Sequence, residues 1–382
     1  MTPEPCYICK KPEPVRFPSN SALCLSCGQF NDSRRGQTAD LRGYTCIVTG
    51  GRIKVGFEVA IKLLRAGASV IVTSRFVAGA RAAFASLPDS ASWAGRLSFY
   101  ACDFRELGAV VALVEAIKKE HATVDVLVNN AAQTIHRPPA FYRELLSDTL
   151  VDRNLGELGA VAAQRLVLSG AIVPGAGLGL DPDRVAKLSI LPVLPQDELE
   201  GAEFFPEGAR DGHGQPQDRR SFNSWMMGLT DVPLLELLEV LYINAIAPFI
   251  LCTGLHAAMT KKPGERPSFI VNVTAMEGNF HDPEKNHRHP HTNMAKAALN
   301  MMTRTTAIQL QADRIFMNAV DPGWITNERP HPLRAPAGSH PDRMPLDEVD
   351  GAARVCDPIF RSLVTGEPVA GRLFKNFEPY PW

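Results

Sequence analysis

The sequence predicts an α/β protein: a doubly wound parallel sheet with helices on both faces, preceded by a small N-terminal module of the ribbon or knuckle kind. Three observations carry this. From residue 43 onward, short β-rich runs alternate with stretches of helical spacing, the pattern of right-handed βαβ units and therefore of a parallel sheet. The first of those runs ends in a glycine turn, TGGRIKVG. Ahead of the sheet stand two C-x2-C pairs, CYIC and CLSC, with 14 residues between them.

The chain has 382 residues, 45% apolar and 21% charged, with a net charge of −1. Such a composition has ample material for a packed core, and it gives no field that favours nucleic acid or an anionic membrane. The opening MTPEPCYICKKPEPV contains no apolar run like a signal peptide's, so a cytoplasmic, soluble protein is expected. The most apolar long region, Leu234 to Met259, carries Glu236, Glu239, Asn244 and His256. It reads as a buried helix rather than a lipid-spanning one. Eight cysteines in this length are too few for a disulfide scaffold. Cys46, Cys102, Cys252 and Cys356 are scattered in apolar surroundings and read as core residues.

Cys6, Cys9, Cys24 and Cys27 are different. Two such knuckles place four thiolates around one tetrahedral Zn²⁺, and four thiolates leave no open ligand position, so the ion is structural. A module over residues 1–35 is too short to fold on a hydrophobic core alone. It could bind a protein partner. Residues 36–42 link it to the main domain, 43–382.

In that domain YTCIVT is the first strand, and VGFEVAIKLLRAGA is a helix with Gly67 near its end. SVIVTS is the second strand, followed by a helix to about Ala85. Then come the strand RLSFYACD, the helix LGAVVALVEAIKKE and the strand VDVLVNN. Sheets of this kind bind ligands outside the carboxyl ends of their strands. The turn after the first strand lets backbone N–H groups approach a pyrophosphate at a helix N-terminus. This is the Rossmann-type arrangement.

The turn also resembles the T-G-x-x-x-G-x-G of the short-chain dehydrogenase/reductase family. Thr49, Gly50 and Gly56 match, and Lys54 stands where the middle glycine belongs. Further matches follow in order: Asp103 after the third strand, NNAA (Asn129 to Ala132) after the fourth, and VDPGWIT with Pro322, Gly323 and Thr326. The resemblance covers about residues 43–140 and 232–377. It implies a dinucleotide held by these turns, Asn130 and Ala131 included, with Asp103 at the adenine and the P-G loop around the nicotinamide. Lys54 either blocks the pyrophosphate or adds a positive charge beside it; lysine's use as a phosphate partner favours the second. The second strand ends in VTSRF, without the carboxylate that binds a ribose 2′-OH. Ser74 and Arg75 suit a 2′-phosphate instead, so NADP(H) is expected ahead of NAD(H).

Asn129 and Asn244 are 115 residues apart, where a βα connection needs only a handful. Residues 141–231 are therefore an insertion, containing two helical starts, FYRELLSDTL and ELGAVAAQRLVL. By the strand-end rule it lies near the catalytic mouth, as a cap over the substrate or as an interaction surface.

The resemblance places Asn244 beside a catalytic lysine, Lys296, in HTNMAKAAL. The family's tyrosine falls at Thr292, four residues before the lysine, and its serine at Ala275. Thr274 is adjacent, but alternation along a strand turns it the other way. Threonine is short, and an alkanol is a far weaker acid than a phenol. The loop HDPEKNHRHPH offers His281, His287, His289 and His291 as substitute acids, with His289 and His291 nearest Lys296. Tyr142 and Tyr242 are further candidates. Two readings follow. One is an NADP(H)-dependent oxidoreductase with atypical acid catalysis, acting on a carbonyl or activated C=C bond. The other is an inactive relative serving as a nucleotide-binding or partner-binding scaffold. The resemblance also implies a homodimer or tetramer formed through two long helices, an assembly the insertion could prevent.

Overall fold

A computed structural model describes residues 4–151, 201–281, 285–334 and 344–382. Its centre is an eight-stranded sheet. The chain enters it through β3 (Thr45–Thr49), then runs α2 (Lys54–Arg65), β4 (Ser69–Ser74), α3 (Val77–Ala85), β5 (Leu97–Ala101), α4 (Leu107–Glu120) and β6 (Val126–Asn129). After α5 (Pro139–Val151) and the insertion come α6 (Leu234–Leu241), a π-turn (Tyr242–Ile246) and α7 (Ala247–Met259). β7 (Ser268–Val273), α8 (Pro290–Gln311), β8 (Ile315–Asp321), α9 (Glu348–Thr365), β9 (Leu373–Lys375) and β10 (Glu378–Tyr380) complete it.

The strand order is β10-β9-β8-β7-β6-β3-β4-β5, parallel throughout except for β10, which pairs antiparallel with β9. The chain winds first to one side of β3 and then to the other. The break between β3 and β6 is the switch point, where such sheets leave a crevice for ligand.

Each strand is apolar on both faces because each face is covered. On β3, Cys46 and Val48 pack under α2 and α9, while Ile47 packs on the opposite side with α4 and α7. The four scattered cysteines are buried and unpaired, as expected of core residues. The apolar segment Leu234–Met259 is long and apolar enough to cross a membrane by length and composition. Here it is α6, the π-turn and α7, with Val240, Asn244, Leu251, Leu255 and Met259 buried.

The N-terminal module is a hairpin, β1 (Arg16–Phe17) and β2 (Asn20–Cys24), followed by α1 (Leu25–Arg35). It is docked on the sheet domain. Arg35 lies 2.6 Å from both Asp347 and Asp350. Asn31 donates to buried Asp350 at 2.7 Å, and Phe30 meets Phe377 edge to face. Asp350 also completes the capping box that starts α9, so its buried charge is fully partnered. The linker is built in as well, since Leu41 is buried in the main core.

Of the insertion, the first helical start forms α5; the second lies outside the described residues. Residues 201–231 run across the carboxyl ends of the strands. Gln215 accepts from Arg52 at 2.6 Å, and Asn223 donates to the Glu328 carbonyl at 3.1 Å. Trp225 stacks on His289 with ring centres 3.8 Å apart.

Candidate active site

Thr49 ties the two strands at the switch point together. Its Oγ1 accepts from the Asn130 and Ala131 N–H groups, both at 2.9 Å. The Asn130 amide donates back to the Thr49 and Gly50 carbonyls at 2.9 and 3.2 Å. Gly50 has φ +64°, and a Cβ there would meet Ala131 Cα at 2.8 Å. A Cβ on Gly56 would lie 2.3 Å from Asn130 Nδ2. Both glycines are demanded by close approach, and the cradle they leave opens at the N-terminus of α2.

Lys54 adopts the backbone conformation of the glycine it replaces, with φ +54°. Its ammonium sits 3.7 Å from Glu328. Burial alone would raise the Glu328 carboxyl; Lys54, Arg137 and the Thr326 hydroxyl outweigh that and hold it low. Lys54 therefore flanks the cradle as a cation reaching the P-G loop.

Beyond the cradle lies a cavity of about 390 Å³ lined by Arg52, Phe76, Gly79, Arg210, His213 and Gln215, among others. Arg75 sits beside it with its guanidinium over the Tyr142 ring, and donates to that hydroxyl at 3.3 Å. Ser74 is buried, its Oγ accepting from the Phe76 N–H at 3.0 Å. It shapes the turn and leaves the cationic work to arginines. Arg52 and Arg210 were missed from sequence. Arg52 could have been found as a basic residue inside the glycine turn, whereas nothing in the insertion's sequence marks Arg210. Asp103 is buried, and both its oxygens accept from Arg105. An adenine at this end would have to share a carboxylate already paired.

Asn244 lies in the π-turn and clamps one residue: its Oδ1 accepts from the Gln133 N–H at 2.7 Å and its Nδ2 donates to the Gln133 carbonyl at 2.9 Å. Inserted π-turns often mark functional positions. Lys296 is buried on α8, its ammonium donating to the Val273 carbonyl at 2.8 Å. Burial draws its pKa down to about 8, against the opposing pull of Glu277 and Asp321. Thr292 shares its helix face; the Thr292 and Thr274 hydroxyls are both buried without a hydrogen-bond partner.

The structure places His289 against the insertion. It precedes α8 at φ +40°, and its Nδ1 meets the Trp225 carbonyl at 2.9 Å. A carbonyl accepts, so that nitrogen must carry the N–H. Burial lowers the ring's pKa. The N–H on that nitrogen is committed to the carbonyl. His291 is buried within α8, 3.7 Å from the buried carboxylate of Glu236.

In the P-G loop, Gly323 has φ +93°, and a Cβ there would lie 2.4 Å from Leu346. Pro322 packs beside Gly351 of α9. The Thr326 hydroxyl donates to Glu328 at 2.7 Å.

The Sγ atoms of Cys6, Cys9, Cys24 and Cys27 all lie within 4.8 Å of one another. Cys9 and Cys24 are 3.9 Å apart. That is far beyond a disulfide's ~2.05 Å, and close to the ~3.8 Å edge of a tetrahedron with Zn–S bonds of ~2.3 Å. The Ser26 hydroxyl beside Cys24 helps hold that thiol down to about 6. The donor set fits zinc.

A family model described as short chain dehydrogenase matches residues 44–173, and one described as enoyl-(acyl carrier protein) reductase matches residues 222–337. The chain belongs to the short-chain dehydrogenase/reductase family. An uncharacterized mimivirus protein, R665 of Acanthamoeba polyphaga mimivirus, is 30% identical over 369 residues, 93% of this chain and 71% of that protein. A 2-dehydro-3-deoxy-D-gluconate 5-dehydrogenase of Pseudoalteromonas atlantica is 31% identical over 116 residues, 30% of this chain and 44% of that enzyme. Among solved structures, the Pseudomonas aeruginosa RhlG/NADP active-site complex superposes with TM-score 0.53 at 18% identity, covering 88% of this chain and 95% of that one. The citronellol catabolism dehydrogenase AtuB of the same species gives 0.51 at 19%, covering 90% and 98%. At these identities the likeness shows the fold.

Proposed function

We propose that this chain is an NADP(H)-dependent oxidoreductase that reduces or forms an activated C=C bond or a carbonyl, with its proton chemistry moved off the family's serine and tyrosine. One observation carries the reading: the buried Lys296 ammonium, held on the Val273 carbonyl, stands with the Asn244 clamp and the Gly50–Gly56 cradle at the carboxyl ends of the strands. A chain that had abandoned its cofactor would have no need to keep a lysine at such a desolvation cost.

The residues present fit the dinucleotide. Thr49, Gly50 and Gly56 form the cradle for the pyrophosphate, and Lys54 adds a cation at its rim. Arg52 and Arg210 line the neighbouring cavity, and Arg75 lies over Phe76 in its wall, guanidinium groups suited to a 2′-phosphate. RhlG, whose fold this chain shares, is described in complex with NADP. Lys296 would hold the nicotinamide ribose, and Pro322, Gly323 and Thr326 would border the ring. When bound, the nicotinamide supplies or takes up a hydride.

For the proton, Ala275 offers nothing and Thr292 is too weak an acid alone. Lys296 can release a proton near neutrality because burial lowers its pKa to about 8. Thr292 lies one turn away on the same face, with a buried hydroxyl that is not bonded to the ammonium in this structure. This arrangement lacks the family's serine–tyrosine pair for polarising a carbonyl, which favours an activated C=C substrate. Residues 201–231, reaching from Arg52 to His289, support the cap reading of the insertion. The four cysteines are proposed to hold one structural zinc. Exposed Phe249, Met294, Met301 and Ile308 on α7 and α8 support self-association through those helices.

The test is titration of the zinc-loaded protein with NADPH and NADH, then a screen for NADPH oxidation against enones, enoyl thioesters and ketones. Tighter binding of NADPH with turnover of one class supports the proposal. Absence of binding to either dinucleotide overturns it. A second reading, a nucleotide-binding scaffold, is favoured by Ala275 and by the committed proton of His289. It predicts NADPH binding with no turnover of any class.

A further inference from the structure

The four-cysteine module reaches the cofactor loop through one side chain. Tyr7 lies inside the first knuckle, between Cys6 and Cys9. Its hydroxyl accepts from the Trp324 N–H at 2.8 Å. That amide follows Gly323, whose missing Cβ would sit 3.4 Å from the same hydroxyl and 2.4 Å from Leu346. The P-G loop is thus clasped between the module and the start of α9. Asn20, on β2, adds a second tie by donating to the Pro345 carbonyl at 2.8 Å.

Tyr7 is seated on the module itself, with the Lys10 ammonium over its ring. Its backbone N–H donates to the Ala22 carbonyl at 2.9 Å, and its neighbours Cys6, Ile8, Phe17 and Leu23 form the module's small core. That core contains the metal ligands themselves. A module this small depends on its ion to fold. Losing the ion therefore loses the fixed position of Tyr7.

We propose that the four-cysteine module is a metal-dependent support for the nicotinamide loop, with Tyr7 as the positioning residue. Zinc in place holds Tyr7 against Trp324 and keeps Pro322 to Thr326 set for the dinucleotide. Zinc removed by a chelator frees the loop and weakens binding at the nicotinamide end only. The effect on binding rests on the NADP(H) reading above; the coupling between module and loop does not.

The experiment compares zinc-loaded protein, chelated protein and Tyr7→Phe. The substitution keeps the ring and removes one hydroxyl, so zinc content should stay unchanged. Two quantities are read: hydrogen exchange of the peptide containing Trp324, and dissociation constants for NADPH and for adenosine 2′,5′-bisphosphate, which lacks the nicotinamide half. Expected results are faster exchange at Trp324 in both altered forms, NADPH weakened about 2- to 10-fold by Tyr7→Phe, and unchanged bisphosphate binding. Unchanged exchange in both altered forms overturns the proposal, as does equal weakening of the two ligands. Faster exchange with no binding of either ligand in any form upholds the coupling and refutes the NADP(H) reading instead.

Discussion

Gly56→Ala tests whether the cradle is built as described. The added methyl would lie 2.3 Å from Asn130 Nδ2 and 2.5 Å from the Gly50 carbonyl oxygen. Neither neighbour can yield cheaply. The Asn130 amide would have to leave its bonds to the Thr49 and Gly50 carbonyls, at about 1 kcal/mol each. The Gly50 carbonyl is backbone, and Gly50 itself abuts Ala131, so the turn must shift as a unit. Overpacking of this kind adds roughly 1–3 kcal/mol. The sum is about 3–5 kcal/mol. At roughly 2 °C per kcal/mol for a domain of this size, the melting temperature should fall by about 6–10 °C. Gly108→Ala is the control, because a Cβ there meets nothing within 4 Å, and its melting point should hold or rise slightly. The assay is thermal unfolding followed by circular dichroism, with NADPH titration alongside. A Gly56→Ala protein that melts with the wild type and binds NADPH equally would refute the close-packed cradle.

Arg52→Ala combined with Arg75→Ala should weaken NADPH by about 10- to 100-fold, the worth of charge-assisted hydrogen bonds, and leave NADH unaltered; equal losses for the two would remove the 2′-phosphate assignment. Lys296 gives a pH signature in stability. Its folded pKa is lowered to about 8, against an ordinary 10.5, so between these values the unfolded chain holds a proton that the folded chain has released. Stability therefore rises with pH across that window, and the full penalty is present below about pH 8. Relative to Lys296→Met, the wild type should gain up to about 3 kcal/mol from pH 8 to 10.5, measured by urea denaturation; parallel curves would show that the lysine is not desolvated. Metal analysis should find one zinc per chain, lost in Cys24→Ser, with a lower melting temperature on chelation; a chain that folds equally well without metal would contradict the four-thiolate site.

Much of the fold was legible because its signals are local and redundant. Strands such as SVIVTS are apolar on both faces only where helices cover both, and the alternation of strand and helix then fixes a parallel sheet. The Cys pairs were legible for a similar reason, since ligand spacing is short in sequence. The contacts that assemble the mouth are not. Tyr7 meets Trp324 across more than three hundred positions, and Gln215 meets Arg52 from inside the insertion. No periodicity encodes such pairings. Lys54 shows the converse: the sequence marks it as a departure from a glycine pattern, but only the backbone reveals that it takes up the glycine's φ and turns its ammonium to Glu328.

The acid marks the sharpest limit of sequence reasoning. His289 and His291 are two residues apart and chemically identical, so composition and spacing treat them alike. The start of α8 separates them. His289 lies just outside the helix, where its Nδ1–H is spent on the Trp225 carbonyl and burial lowers the ring's pKa. His291 lies inside the first turn, packed against Glu236 with neither ring nitrogen hydrogen-bonded. A proton donor needs a proton that is both releasable and not already committed, and His289 fails on the second count. Lys296 satisfies the first through the same burial that makes it costly to keep, and Thr292, one turn before it, has a buried hydroxyl with no partner of its own. The substitution that removes the family's phenol thus leaves a short hydroxyl beside a lysine whose pKa lies near neutrality. On that arrangement, turnover should fall as pH rises through about 8, and a histidine-dependent reaction would instead lose its rate near the imidazole range.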